Sequence, residues 1–183
     1  MKHEVRIIGG LWRRSLLPVA DRPGLRPTPD RVRETLFNWL GQDLNGWRVL
    51  DAFAGSGALG FEAASRGATE VTLLEREPDL VKLLATSRDR LKAEMLRILR
   101  ADALVWMGTA PAASFELILL DPPFDAGLHA PALLAATRLL VPGGMAYVEA
   151  AEPPPTEPPA GLSLHRHTRA GMVHASLWRK AED

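Results

Sequence analysis

The stretch that most restricts the fold is Asp51-Ala-Phe-Ala-Gly-Ser-Gly-Ala-Leu-Gly60, which joins an apolar run, Trp47–Asp51, to an Ala-rich segment closed by Gly67. Gly55-x-Gly57-x-x-Gly60 between a strand and a helix marks a βαβ nucleotide-binding turn. The first glycines let the backbone approach a ligand, and the third lets the helix pack near the sheet.

The rest of the chain supplies the strands and helices such a unit needs. Strands are expected at Glu70–Leu74, Leu96–Leu99, Phe115–Leu120 and Met145–Val148. Pro78 opens a helix carrying Leu80, Val81, Leu84 and Leu91. A further helix, Pro131–Leu140, is stopped by Pro142-Gly143-Gly144. After an extended, Pro-rich link (152–159), Leu162–Thr168 and Met172–Trp178 form an antiparallel hairpin turning at Gly171. Strands alternating with helices and ending in a hairpin predict an α/β, doubly wound sheet with a mixed edge.

Ahead of this series, Glu4–Ile8 and Leu16–Val19 read as a small hairpin turning near Gly9-Gly10. Thr28-Pro29 reads as the start of a helix, with a capping hydroxyl and Pro in the first turn. Val32, Leu36, Phe37 and Leu40 form its apolar stripe, and Gly41 stops it.

The length of 183 residues fits one domain. The absence of Cys excludes disulfides and thiolate metal sites. There is neither a signal-peptide core nor a run of about 18 apolar residues, so a cytoplasmic protein without a membrane segment is expected. No metal site is apparent. His165 and His167 would share a strand face but lack a third ligand.

The net charge of zero conceals a dipole. Met1–Arg33 holds eight Lys and Arg against three Asp and Glu, leaving fourteen against nineteen elsewhere. The basic stretch 1–27 is expected to be an arm that contacts RNA, attached to a domain spanning 28–183. Arg6, Arg13, Arg14 and Arg26, with Arg31 and Arg33 in the following helix, are candidate phosphate contacts. A solvated basic face is the plainer alternative.

The glycine loop alone would suit NAD or FAD. The acids argue for another ligand. Asp51 stands where a pyrophosphate would approach, so its carboxylate repels phosphate and attracts an ammonium group. Glu75 is placed for a ribose, and Asp102 for the amine of adenine. A ligand with a cation, a ribose and an adenine but no phosphate matches S-adenosylmethionine. At the fourth strand's end stands Asp121-Pro-Pro-Phe124. The prolines stiffen this turn. It offers a carboxylate, carbonyls and a ring to a planar base bearing an amine.

Four stretches together, Arg6–Gly10, Arg26–Leu40, Asp51–Gly60 and Asp121–Phe124, resemble the RsmD family of bacterial small-subunit ribosomal RNA guanine-N2 methyltransferases. The resemblance implies a class I S-adenosylmethionine-dependent methyltransferase: a Rossmann-like seven-stranded sheet with helices on both faces and a small N-terminal hairpin. It further implies that Asp51, Phe53, Gly55, Ser56, Gly57, Glu75, Arg76, Asp102, Ala103 and Asp121 hold S-adenosylmethionine. Asp121, Pro122, Pro123 and Phe124 would hold a 16S guanine and direct its amine to the methyl, leaving S-adenosylhomocysteine. The implied substrate is ribosomal RNA or an assembling small subunit, met by a monomer. Three rivals are methylation of adenine N6 or cytosine N4 in nucleic acid, an NAD-dependent oxidoreductase, which would have no use for Asp51 or Asp121–Phe124, and a non-catalytic RNA-binding assembly module. The chain departs from the family at Arg13-Arg14-Ser15, where Arg-Gly-Arg is usual, and at Ser87, near which the family commonly has Asn.

Overall fold

The computed structural model describes residues 3–25 and 27–183. Its centre is a seven-stranded sheet of β3 (Arg48–Asp51), β4 (Glu70–Glu75), β5 (Leu96–Arg100), β6 (Phe115–Leu120), β7 (Leu140–Ala150), β8 (Leu162–Ala170) and β9 (Val173–Lys180). The order is β5-β4-β3-β6-β7-β9-β8. The first five of these pair in parallel, and β9 and β8 close one edge antiparallel. Strand order reverses direction between β3 and β6. Open α/β sheets bind ligands at that crevice, beyond the strands' carboxyl ends.

Period-two alternation divides the strand residues between two cores. Val49, Leu73, Leu117, Leu119 and Tyr147 face α1 (Asp30–Leu40), α2 (Ala58–Ser65) and α3 (Pro78–Leu91). Leu50, Leu74, Ile118, Leu120 and Val148 face α4 (Ala103–Thr109) and α5 (His129–Leu139). By the same alternation Asp51 and Glu149 fall on the α1–α3 face.

The N-terminal hairpin pairs β1 (His3–Arg6) with β2 (Leu16–Val19). It is bound to the body: Val5, Ile7, Trp12 and Leu17 are buried in the α1–α3 core. Its turn docks on α2. The amides of Ile8 and Gly9 donate to the Glu62 carboxylate at 2.8 and 3.0 Å, and that of Trp12 to Ser65 Oγ at 2.9 Å. A side chain at Gly10 would come within 1.9 Å of the Ser65 carbonyl, so only glycine permits this approach. Arg14 has a φ of 73°, in the left-handed region.

Three elements differ from the sequence reading. α1 begins at Asp30 and Thr28 does not cap it; its hydroxyl turns inward, as described below. β7 begins at Leu140, and Pro142-Gly143-Gly144 is absorbed as an irregularity between the pairs Phe115↔Leu140 and Leu117↔Met145. α4 was unforeseen, because its seven residues are too few for a clear period. Asp102 caps it by accepting from the Val105 amide at 3.0 Å.

Candidate active site

Two strand ends at the switch point build the site. Asp51 closes β3, and Asp121 follows β6, which pairs directly with β3. Asp51 is almost fully buried. One of its oxygens accepts from the Gly60 amide at 3.0 Å, and the other has no hydrogen-bond partner among the described residues. Burial pushes this carboxyl up to about 7, with the Gly60 and Phe53 amides opposing and the charges of Glu75 and Glu149 adding to the rise. A side chain at Gly60 would lie 2.1 Å from Leu73 and 3.0 Å from the Asp51 carboxylate. The third glycine therefore holds α2 against β4 and delivers the amide that orients Asp51.

Around this orphaned oxygen the glycine loop is held in place. Gly57 adopts φ 83° as α2 begins. Glu75 at the end of β4 accepts from the Gly55 amide at 3.2 Å and the Glu77 amide at 3.0 Å. Ser56 and Phe53 are half-buried on the loop, and Arg76 is exposed beside Glu77. Asp102, exposed at the end of β5, spends one oxygen on its cap, and Ala103 is buried behind it. A buried carboxylate with an unused oxygen, beside glycines and two further strand-end acids, fits a cation carrying polar rings. S-adenosylmethionine is such a ligand, for which Asp51 would be available to the ammonium, Glu75 to the ribose and Asp102 to the adenine.

The second half of the site carries groups absent from the sequence reading. Asp121 is half-buried, Pro122 buried, and Pro123 and Phe124 are exposed. The Phe124 ring lies 6.1 Å from that of His129, tilted at 48°. His129 Nε2 is in turn 2.9 Å from the Glu149 carbonyl oxygen. Glu149, at the end of β7, is buried beside Asp121, and the Tyr147 hydroxyl donates to it at 2.7 Å. The pairing Leu120↔Val148 sets Asp121 beside Glu149 at the ends of β6 and β7, and the buried Thr28 hydroxyl lies within reach of both carboxyls. Burial and the neighbouring acids hold Asp121 well above the usual carboxylate range, and burial also raises Glu149. Glu149 carried the signal that singled out Asp51, Glu75 and Asp102, an acid closing a parallel strand; Thr28 carried none, since capping was the simpler reading.

The proposed RNA contacts divide. Arg6, Arg13, Arg14 and Arg31 are exposed, while Arg26 lies outside the described residues. Arg33 is a correction: it is fully buried. Its Nε donates to the Thr28 carbonyl, Nη1 to the Arg6 carbonyl and Glu62, and Nη2 to Asp30. Glu62, buried to hold the hairpin's amides, requires a cation, and Arg33 meets that need instead of binding phosphate. Arg66 is the second cation on Glu62, at 3.0 Å.

Comparison with known proteins places this geometry. A family model described as "Conserved hypothetical protein 95" matches residues 5–179. The ribosomal RNA small subunit methyltransferase D of Escherichia coli is 42% identical over 180 residues, covering 97% of this chain and 90% of that protein. Its Haemophilus influenzae counterpart is 41% identical, covering 97% of this chain and 95% of that protein.

The chain belongs to the small-subunit ribosomal RNA methyltransferase D family. A solved Escherichia coli structure superposes with a TM-score of 0.85 at 39% identity, covering 99% of this chain and all of that one. One from Haemophilus influenzae gives 0.82 at 35%, covering 98% of this chain and all of that one. The family's fold is the Rossmann-like class I methyltransferase sheet expected from the sequence.

Proposed function

We propose that this chain transfers a methyl group from S-adenosylmethionine to the exocyclic N2 amine of a guanine in small-subunit ribosomal RNA. The observation that carries the reading is the pair of adjacent strand ends: an unpartnered buried Asp51 oxygen under the glycine loop, and the Asp121-Pro-Pro-Phe124 corner next to it. The names of the family's members support the choice of ribosomal RNA as substrate.

Bound at Asp51, S-adenosylmethionine would supply an electrophilic methyl whose C–S bond breaks as the N–C bond forms, leaving S-adenosylhomocysteine. The chain's own work is on the amine. Its lone pair is delocalised into the base, and acceptance of its N–H bonds by Asp121 and the Pro122 carbonyl would draw that pair toward the methyl. The exposed Phe124 ring is available to stack on a base, and His129 limits how far it can swing. Positioning of this kind contributes several kcal/mol to catalysis, and acceptors placed where positive charge grows add to it. A base hidden in a duplex cannot reach the corner, so the target would be unpaired or extruded.

The exposed Arg6, Arg13, Arg14 and Arg31 would hold the RNA backbone, which requires a cytosolic enzyme acting on naked RNA or an assembling subunit. Among the described residues no helix is long and apolar enough to cross a membrane. The test is tritiated methyl transfer to small-subunit RNA, with the modified base identified by digestion and mass. N2-methylguanine supports the reading; N6-methyladenine, N4-methylcytosine or no incorporation overturns it. Asp121→Ala is expected to abolish transfer while cofactor affinity, read by calorimetry, stays within about threefold, as for a residue acting only in the transition state.

A further inference from the structure

Glu149 is a buried acid that the reading above leaves without a task. It is only 4% exposed, yet β7 carries it to the carboxyl edge of the sheet, on the same face as Asp51. Tyr147 Oη donates to it at 2.7 Å, and its own carbonyl fixes His129, the residue against Phe124. The parallel pair Leu120↔Val148 places it side by side with Asp121, the next residue beyond β6. A structural role would be served by Gln, which makes the same contacts without the cost of a second buried charge.

We propose that Glu149 is a positioning residue for Asp121: the two carboxyl groups share one proton, and the pair takes up the proton that the substrate amine releases. This rests on the reading of Asp121 as the acceptor of that amine. Two adjacent carboxyls, one of them buried, resist ionising together at neutral pH, so the pair holds one proton and one negative charge.

The surroundings decide where the charge rests. Tyr147 Oη on β7 donates to the Glu149 carboxyl at 2.7 Å and so favours its ionised form, with the charge of Arg33 on α1 and the Thr28 hydroxyl acting in the same direction. Asp121 faces the negative charges of Glu149 and of Asp51 on β3, relieved only by Thr28. From α5, His129 meets the carbonyl of Glu149 rather than its carboxylate. In the resting site Asp121 therefore donates its O–H to Glu149, and its other oxygen is left for the substrate amine. That oxygen accepts an N–H of the amine. As the nitrogen gains the methyl and becomes positive, its proton passes to Asp121, and Asp121 passes its own to Glu149. The pair goes from −1 to neutral, the sulfonium from +1 to neutral, and the methylated amine ends neutral, so charge and protons balance.

Two measurements test this. The first follows the carboxyl carbons of Asp121 and Glu149 by 13C NMR in the ligand-free protein and needs no methyl acceptor. The expected result is coupled titration in wild type, with Asp121 protonated at neutral pH, and a fall of the Asp121 titration toward the ordinary range in Glu149→Gln. The second is the pH dependence of kcat. Wild type should show two limbs, one for loss of the shared proton and one for gain of a second. Glu149→Gln should keep a single limb and lose about 10²-fold in kcat, the usual contribution of positioned proton transfer, with KM little changed. Tyr147→Phe, which preserves packing, should move the acid limb upward by raising Glu149. Independent titration of the two carboxyls in the ordinary range overturns the proposal, as does a Glu149→Gln enzyme with wild-type kcat and profile. A shared proton in a wild-type protein that methylates no RNA instead condemns the functional reading and leaves the shared proton standing.

Discussion

Two groups of buried charge lie on the same face of the sheet and are treated in opposite ways. Under the hairpin, Glu62 is enclosed by Arg33 and Arg66, and its two oxygens accept from the Ile8 and Gly9 amides and from both guanidinium groups. At the strand ends, Asp51, Asp121 and Glu149 are brought together with no guanidinium or ammonium group of the described residues bonded to them, one oxygen of Asp51 has no partner among those residues, and all three carboxyls are pushed upward. The first group is complete without a ligand, and it fastens the N-terminal hairpin to α2. The second is incomplete, and a buried acid that is left incomplete is stabilised when a cation arrives. Satisfaction therefore separates scaffold from site more sharply than burial or residue type does.

The largest effect should come from breaking the completed group. Glu62→Ala strands two guanidinium groups and two backbone amides, for which a loss of about 3–5 kcal/mol in unfolding free energy is expected. Denaturant unfolding measures it, and a loss below about 1 kcal/mol, the range of an exposed ion pair, would mean that the cluster is not what holds the hairpin.

The incomplete group should answer in the opposite direction. Asp51→Asn removes a charge that has no partner in the ligand-free protein, so stability is expected to hold or rise. Cofactor affinity should fall by about 10- to 100-fold, the worth of one charged hydrogen bond. The sign of the pH dependence follows from the carboxyl's rise from 3.8 to about 7 on folding. Between those values the folded protein keeps a proton that the unfolded chain has released, so ligand-free stability declines as pH rises through that window. Cofactor affinity should climb over the same window, because the ammonium selects the ionised form. Thermal unfolding and calorimetry from pH 5 to 8 check both; stability that rises with pH in wild type and equally in Asp51→Asn would remove the basis for treating Asp51 as an unfilled ligand.

This contrast also sets what could be read in advance. The βα series, the terminal hairpin and the glycine loop were legible because each rests on local periodicity or on a turn that only glycine fits. Asp51, Glu75 and Asp102 were legible because an acid at a parallel strand's carboxyl end has a position without any tertiary knowledge. Arg33 was not. Whether an arginine in a helix's first turn faces solvent or a buried glutamate depends on Glu62, 29 residues away, and nothing in the spacing marks Glu62 as buried. Thr28 failed for a related reason. Its local chemistry suits a cap, and the competing acceptors belong to β6 and β7, which only the closed sheet brings near.

The smallest effects test the surface. Arg31 and Arg33 are two residues apart in α1, one exposed and one fully buried, so the same substitution should read differently at each. Arg33→Ala strips Glu62 of a buried partner and should unfold the protein readily, with RNA affinity lost only in proportion to the unfolded fraction. Arg31→Ala should leave stability within about 0.5 kcal/mol, as surface substitutions usually do. If Arg31 meets a phosphate, RNA binding should weaken to a similar degree for every sequence tested, and the slope of log affinity against log salt should fall by about 1. Filter binding across a salt series measures this. An unchanged slope for Arg31→Ala, beside reduced slopes for Arg13→Ala and Arg14→Ala, would confine RNA to the hairpin turn. Unchanged slopes at all three would leave the basic N-terminal face as a solvated surface.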